Sequence, residues 1–262
     1  MARALPIAAA AILLAAPPAL AQEGVVEGLA PLLRDLSGSL DAGGGGDLSG
    51  RLIQLIGLLT VLSLAPGLMI VMTCFTRFVI VLSMLRSAIG LNQSPPNLVI
   101  TSLALFLTFF VMQPVLQSSW NEGLSPLIEG SITEEQALPR IAEPFHRFMA
   151  ANTRDADIAL FQRFSGGEAE AAPPPADRAE LGWSVLVPAF MISELRRAFT
   201  IGFLIYLPFV AIDLIVASIL MGAGMMMLSP VMISLPFKVI FFVLIDGWHM
   251  LAGSLIQSYT AF

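Results

Sequence analysis

Long stretches of chain with almost no charge constrain this sequence more than any motif in it. From Leu52 to Leu85 the chain is apolar over 34 residues. As a helix that run measures ~51 Å at ~1.5 Å per residue, against a bilayer hydrocarbon core of ~30 Å, so it must bend or protrude. Pro66-Gly67 is the expected break, since proline removes a donor and clashes with the preceding turn. Apolar character returns from about Leu98 to Pro114, from Trp183 to Met221 and from Val231 to Ile256. Charged residues are 12% of the 262 and hydrophobic residues 56%, with a mean hydropathy of +0.83, whereas soluble domains carry ~25% charged residues. The chain reads as an all-α membrane protein.

The remaining segments set the order of parts. Residues 1–21 combine Arg3, an apolar run from Ala8 to Ala16 and an Ala19-Leu20-Ala21 site, the pattern of a cleaved signal peptide. Residues 22–50 end in "DAGGGGDLSG" and read as a flexible glycine-rich leader. Residues 51–116 form a first kinked helical hairpin, turning at "LNQSPPN", where Pro95-Pro96 stops one helix and Asn97 caps the next.

The segment 117–182 differs in character. Between Gln117 and Leu181, five arginines face eleven Asp and Glu, a net of −6, which marks an extracytoplasmic insert. Phe145, Phe148, Ile158, Phe161 and Phe164 recur at near-helical spacing there and predict two short amphipathic helices, the second capped by Thr153 or Asp155. "SGGEAEAAPPPADRAE", 165–180, has the composition of a flexible linker. Residues 183–262 form a second hairpin whose tip is "MGAGMMMLSPVM", 221–232.

Several function classes are excluded by what the chain lacks. One cysteine, Cys74, forms no internal disulfide and no thiolate cluster, and His146 and His249 are too far apart in sequence to suggest a metal site. A net charge of −6 argues against nucleic-acid binding. The chain carries no phosphate loop, no nucleophile motif and no H-E-x-x-H, so we expect no enzyme, no metal and no cofactor.

Arg77, Glu194, Asp213, Lys238 and Asp246 lie inside apolar stretches, where each is costly unless it pairs or faces water or protein. Glu194 lies far from the tip and Lys238 close to it, which favours an ion pair between neighbouring subunits over one within the hairpin. The alternative is a snorkelling Lys238 and a hydrated Glu194. Asp246 and His249 are three apart, as in a proton relay, or as partners in interhelical hydrogen bonds within an assembly. Four crossings after signal cleavage would place the 86–97 turn and the tip inside. Arg86 then obeys the positive-inside rule, while Arg196 and Arg197 break it. A simple four-span bundle is therefore suspect.

"PGLMIVMTCFTRFVIVLSMLRSAIG", "SPPN", "LALFLTFFVM", "FMAANTRDADIALF", "SELRRAF", "IDLIVASILMGAGMMMLSP", "LPFK" and "DGW" occur in this order between about residues 52 and 258. Together they resemble the FliP family of the flagellar type III export apparatus. The resemblance implies a homo-oligomer, a pentamer in that family, built of hairpins stacked into a helical, ring-like complex with the FliQ and FliR proteins. It would lie at the bacterial inner membrane in the flagellar basal body, partly on the periplasmic side, contacting lipid and passing unfolded flagellar subunits. That placement would relieve the conflict at Arg196 and Arg197. The resemblance further implies that Met225, Met226 and Met227 form a gasket closing the pore. It implies that Phe148 and Phe161 plug the channel and that Glu194 and Lys238 pair between subunits. Arg77, Asp213 and Asp246 are left as buried polar positions of the assembly. His249 stands where that family more often carries Gln. The signal peptide favours the flagellar branch, because the virulence counterpart usually lacks one.

Methionine suits such a gasket. It is unbranched and polarizable, adapts to many contact shapes, and makes no charged ring that would select ions. The same buried charges leave open a self-contained ion channel or small-solute transporter, motivated by Arg77, Asp213 and Asp246. An intramembrane enzyme using Asp213 and Asp246 is a third reading.

Overall fold

A computed structural model describes Leu59, Ser63, Gly67 and residues 70–91, 94–165, 178–225 and 227–259. The expected signal peptide, leader and most of the 165–180 linker lie outside these residues, as do Pro66 and Met226. Two compact units divide at Met69 and Ile70. In the first, Leu59, Ser63 and Gly67 are helical and exposed. The second, Ile70–Phe262, holds the buried core.

The described residues are helical with no strand. The second unit opens with a helical turn that breaks at Thr73–Cys74, where the Thr73 hydroxyl accepts from the Phe75 N–H at 3.4 Å. Helix α1, Phe75–Ile89, then buries Phe78, Val81, Leu82, Leu85, Ala88 and Ile89, one helical face. It ends at Gly90, whose φ of 91° is the left-handed conformation that glycine adopts without strain. Helix α2, Asn97–Ser119, buries Ile100, Ala104, Thr108, Met112, Val115 and Ser119, a stripe at i, i+4 spacing. Its other faces stay bare, with Phe106 and Phe110 exposed.

The apolar helix does not stop at Pro114 as expected. It continues through a π-helical turn, Trp120–Leu124, into α3, Ser125–Ile128. The continuous helix Asn97–Ile128 thus reaches into the segment read as insert. Gly123 permits this turn to meet the next helix, because a Cβ there would lie 2.4 Å from Ile141 Cγ1 and 3.0 Å from the Ile141 nitrogen.

Helix α4 is Glu134–Asn152 and α5 is Asp155–Ser165, so the insert does contain two helices, the first longer than expected. Glu134, Glu135, Asp155 and Asp157 place negative charge at the two N-termini, where the helix dipole favours it. Thr153 closes the end of α4 by donating to the Met149 carbonyl at 2.6 Å. A short 3-10 turn, Arg178–Glu180, leads into α6, Trp183–Gly222.

Helix α6 has 40 residues, ~60 Å as helix and about twice the hydrocarbon thickness of a bilayer. Helix α7, Pro230–Leu244, returns beside it, and α8, Gly247–Gln257, leaves at a bend of 62°. The second arm of this hairpin is therefore broken, where the sequence suggested one apolar run. Asp246 makes the break with φ 50°, and Gly247 comes next because a Cβ there would lie 2.2 Å from the Phe242 ring.

The two expected hairpins are not separate bodies. Helix α1 packs more extensively on α6 than on its own hairpin mate α2. Met84 of α1 fits a notch at Gly202, where a Cβ would lie 2.3 Å from its sulfur. The core joins Phe78 and Leu85 of α1, Phe148 and Met149 of α4, Ile158 of α5, Leu186 and Phe190 of α6, and Leu255 and Tyr259 at the end of the chain. Among the described residues two helices, Asn97–Ile128 and Trp183–Gly222, are long and apolar enough to cross a membrane. The bent pair α7–α8 counts as a third if it crosses as one span.

Candidate functional site

The α6–α7 hairpin combines a base that is chemically closed with a tip that is open. The tip forms because α6 ends at Gly222 in a capped turn: Gly224 donates to the Met221 carbonyl at 3.1 Å and Met225 to the Leu220 carbonyl at 3.0 Å. That pair of bonds needs a left-handed residue between them, and Gly224 supplies it with φ 74°. Pro230 restarts the helix at its first position, where its missing N–H costs nothing. Met225 is 45% exposed and Met227 101%, with Met221 and Met232 also exposed at the two helix ends. Met226 lies outside the described residues.

Two ion pairs hold the helices that carry this tip. Arg77 of α1 forks onto Glu194 of α6, with Nε donating to Oε2 at 2.8 Å and Nη2 donating to Oε1. Both side chains are fully buried. Tyr259 donates its hydroxyl to the same carboxylate, and Arg77 Nη1 donates to Ser258 Oγ at 2.8 Å. The guanidinium also lies 3.7 Å from the centre of the Tyr259 ring. Burial pushes the Tyr259 hydroxyl well above its ordinary value, and the Glu194 charge beside it adds to the shift.

The second pair lies nearer the tip. Lys238 of α7 donates to Asp213 of α6 at 2.6 Å and to the Ala88 carbonyl at the end of α1 at 3.1 Å. Ser234, one turn before Lys238, reaches the other Asp213 oxygen. Lys238 is buried and Asp213 about one third exposed.

The insert is tied to the base of α6 by neutral and charged bonds. Ser193 donates to Asp157 at 2.6 Å and accepts the Arg154 N–H at 3.1 Å. Arg178 spans the α4–α5 turn, donating to the Ala150 carbonyl at 2.8 Å and to Asp155 at 2.6 Å. His146 bonds the Leu181 carbonyl at 2.7 Å beneath the Trp183 ring.

The single chain places each of the other expected site residues. Within the chain Glu194 and Lys238 do not meet, because each already has a nearer partner of opposite charge. Their partners inside the chain are Arg77 for Glu194 and Asp213 for Lys238. Phe148 is wholly buried between Phe190 and Tyr259, at ring separations of 5.9 and 5.8 Å. In the single chain it belongs to the core. Phe161 is half-buried against the same core. Arg77 and Asp213 are buried or partly buried as expected, but Asp246 is exposed at the helix break, and His249 is exposed as well. Asp246 caps the start of α8, and its carbonyl accepts the Met250 N–H at 3.1 Å. Among the described residues no group of three or more His, Cys, Asp and Glu side chains is placed to hold a metal ion.

The hairpin, its tip and both pairs lie within residues 58–255, which match the model of the FliP family. The chain is 53% identical to the flagellar biosynthetic protein FliP of Agrobacterium fabrum over 214 residues, 82% of this chain and 86% of that one. The chain belongs to the FliP family. FliP of Caulobacter vibrioides is 51% identical over 221 residues, 84% of this chain and 81% of that one. FliP of Bacillus subtilis is 48% identical over 207 residues, 79% and 91% of the two chains. Membership in the FliP family makes this a flagellar biosynthesis protein, with apolar helices suited to a membrane.

Sequence reasoning missed Tyr259, Ser258, Ser193 and Ser234, all of which complete charge clusters. Only Ser234 carried a local signal, four residues before Lys238 on the same helix. Tyr259 reaches Glu194 across 65 positions and carried none.

Proposed function

We propose that this chain is a subunit of the flagellar type III protein export gate, assembling with further copies and with the FliQ and FliR proteins into the pore for unfolded flagellar subunits. The observation that carries this reading is the tip. An uncharged, methionine-rich turn at the end of a hairpin, with Met225 and Met227 exposed in the single chain, is suited to meet copies of itself. A pore that passes many unrelated chains yet retains ions needs a lining that deforms and reseals, and methionine provides one.

In this reading the buried pairs are structural. They fix the lengthwise position of α7 against α6 and of α1 against both, so that each copy presents its tip at the same height. Arg77 and Asp213, which motivated a solute channel within one chain, are neutralised by their partners and offer no unpaired charge to a passing ion.

Changing Met225, Met226 and Met227 together to Ala should raise ion and small-solute leakage through membranes carrying the assembled complex, with assembly intact on a native gel. Conductance equal to the unaltered complex would remove the gasket.

A further inference from the structure

Between the end of α1 and the end of α7 lies a small cleft of about 150 Å³ that neither the tip nor the ion pairs use. Its lining includes Leu85 and Arg86 of α1, Val239, Phe242 and Val243 of α7, and Trp248 of α8. Arg86 is the one ionisable side chain of that lining. One edge of its guanidinium is occupied: Nη1 donates to Asn97 Oδ1 at 2.5 Å and to the Pro95 carbonyl at 3.2 Å. Those bonds hold the turn between α1 and α2 and leave the edge formed by Nε and Nη2 for an anion. Lys238 does not compete, being committed to Asp213 and the Ala88 carbonyl.

Three features place this cleft at the end of the apolar spans. Asn97, which Arg86 holds, is the first residue of the helix long enough to cross a membrane. The bend between α7 and α8 occurs at the same cleft. Trp248, 46% exposed, stands just past that bend, and tryptophan is enriched where a bilayer meets water. Val243, in the lining, is also exposed on the outer side of α7, so the cleft opens onto an apolar surface.

We propose that this cleft binds one anionic membrane phospholipid, its phosphate on the free edge of Arg86 and the start of an acyl chain between Val239, Val243 and Trp248. Guanidinium and phosphate match in a two-bond fork, and no carboxylate in the lining opposes the negative charge. The apolar remainder suits a hydrocarbon chain better than an acidic peptide, whose backbone would have few polar groups to bond there. The site is independent of the export reading.

The test uses the full-length protein in bilayer discs of equal phosphatidylglycerol and phosphatidylcholine, with retained lipid counted by native mass spectrometry after mild detergent extraction. The unaltered protein should retain phosphatidylglycerol preferentially. Arg86→Gln should reduce that preference about fivefold, the factor one basic side chain contributes near an anionic surface, whereas Arg86→Lys should keep part of it. Val239→Phe fills the cleft without touching Arg86 and should lower retention of both lipids. An unchanged preference in folded Arg86→Gln, or unchanged retention in Val239→Phe, would overturn the site. So would a photoreactive residue at position 239 that labels another protein and no lipid.

Discussion

The two halves of α6 lie in opposite surroundings. From Trp183 to Gly202 the helix buries Val185, Leu186, Ala189, Phe190, Ser193, Glu194, Ala198 and Gly202 against α1, α4 and α5. From Phe203 to Gly222 only Phe209, Val216 and Leu220 are buried, and Phe203, Leu204, Leu207, Leu214, Ile215 and Ile219 are exposed. The exposed distal half is also the more apolar, with 16 of its 20 residues hydrophobic against 12 of 20 in the base. The difference lies in small and polar residues: Ser193, Glu194 and Gly202 each commit the base to a particular neighbour within the chain. The distal half lacks such commitments except at Asp213, and it carries its apolar surface outward to lipid or to other protein.

This contrast predicts that equal chemical insults will differ in effect along one helix. The largest loss belongs to the base. Glu194→Ala leaves Arg77 buried with no carboxylate, and breaking a buried pair this way costs about 3–5 kcal/mol. Thermal unfolding in detergent should show it, and a small shift would mean that water reaches Arg77. Gly202→Ala should come next, at about 1–3 kcal/mol, because the new methyl enters the space of Met84. Lys238→Met should fall below Glu194→Ala, at about 1–2 kcal/mol, because Asp213 is partly exposed and can turn to water. Gly222→Ala, with open space around its Cβ, should be neutral or stabilising by up to about 1 kcal/mol. Similar costs at 202 and 222 would break the comparison.

The smallest and most specific effect concerns pH. Tyr259 has a raised ionisation point in the fold, so the neutral hydroxyl is the form the fold favours. Its contribution is fully present below the ordinary tyrosine value of ~10 and is lost as pH rises through the higher folded value. The chain has two tyrosines. In Tyr206→Phe, absorbance should therefore report Tyr259 alone, ionising above pH ~10 and together with loss of structure. Ionisation at the ordinary value in folded protein would place Tyr259 outside the cluster.

The same contrast explains which features were legible in the sequence. Helices, the hairpin tip and the acidic insert come from apolar periodicity, glycine and proline placement and local charge, all short-range signals. The family could be read as well, because its motifs are contiguous. The partners of Glu194 and Lys238 could not. Arg77 lies 117 positions from Glu194, and Asp213 lies 25 from Lys238. Choosing among five ionisable residues required knowing that α1 packs on α6 in preference to α2. Phe148 is a related case: spacing predicts that it faces a core, but not that its neighbours are Phe190 and Tyr259. The break at Asp246 depends on the close approach of Phe242 to Gly247, which no local pattern discloses.

The central claim is that the base of the hairpin is satisfied within the chain while the tip is reserved for neighbouring copies. It can be tested with single cysteines in a Cys74→Ala background, since Cys74 is the chain's one cysteine. A short bis-maleimide applied to the assembled complex should join Met227→Cys subunits into a ladder of covalent oligomers, whereas Leu186→Cys, buried at the base, should remain monomeric. A ladder from position 186, or none from position 227 in complexes shown to be assembled, would contradict the account.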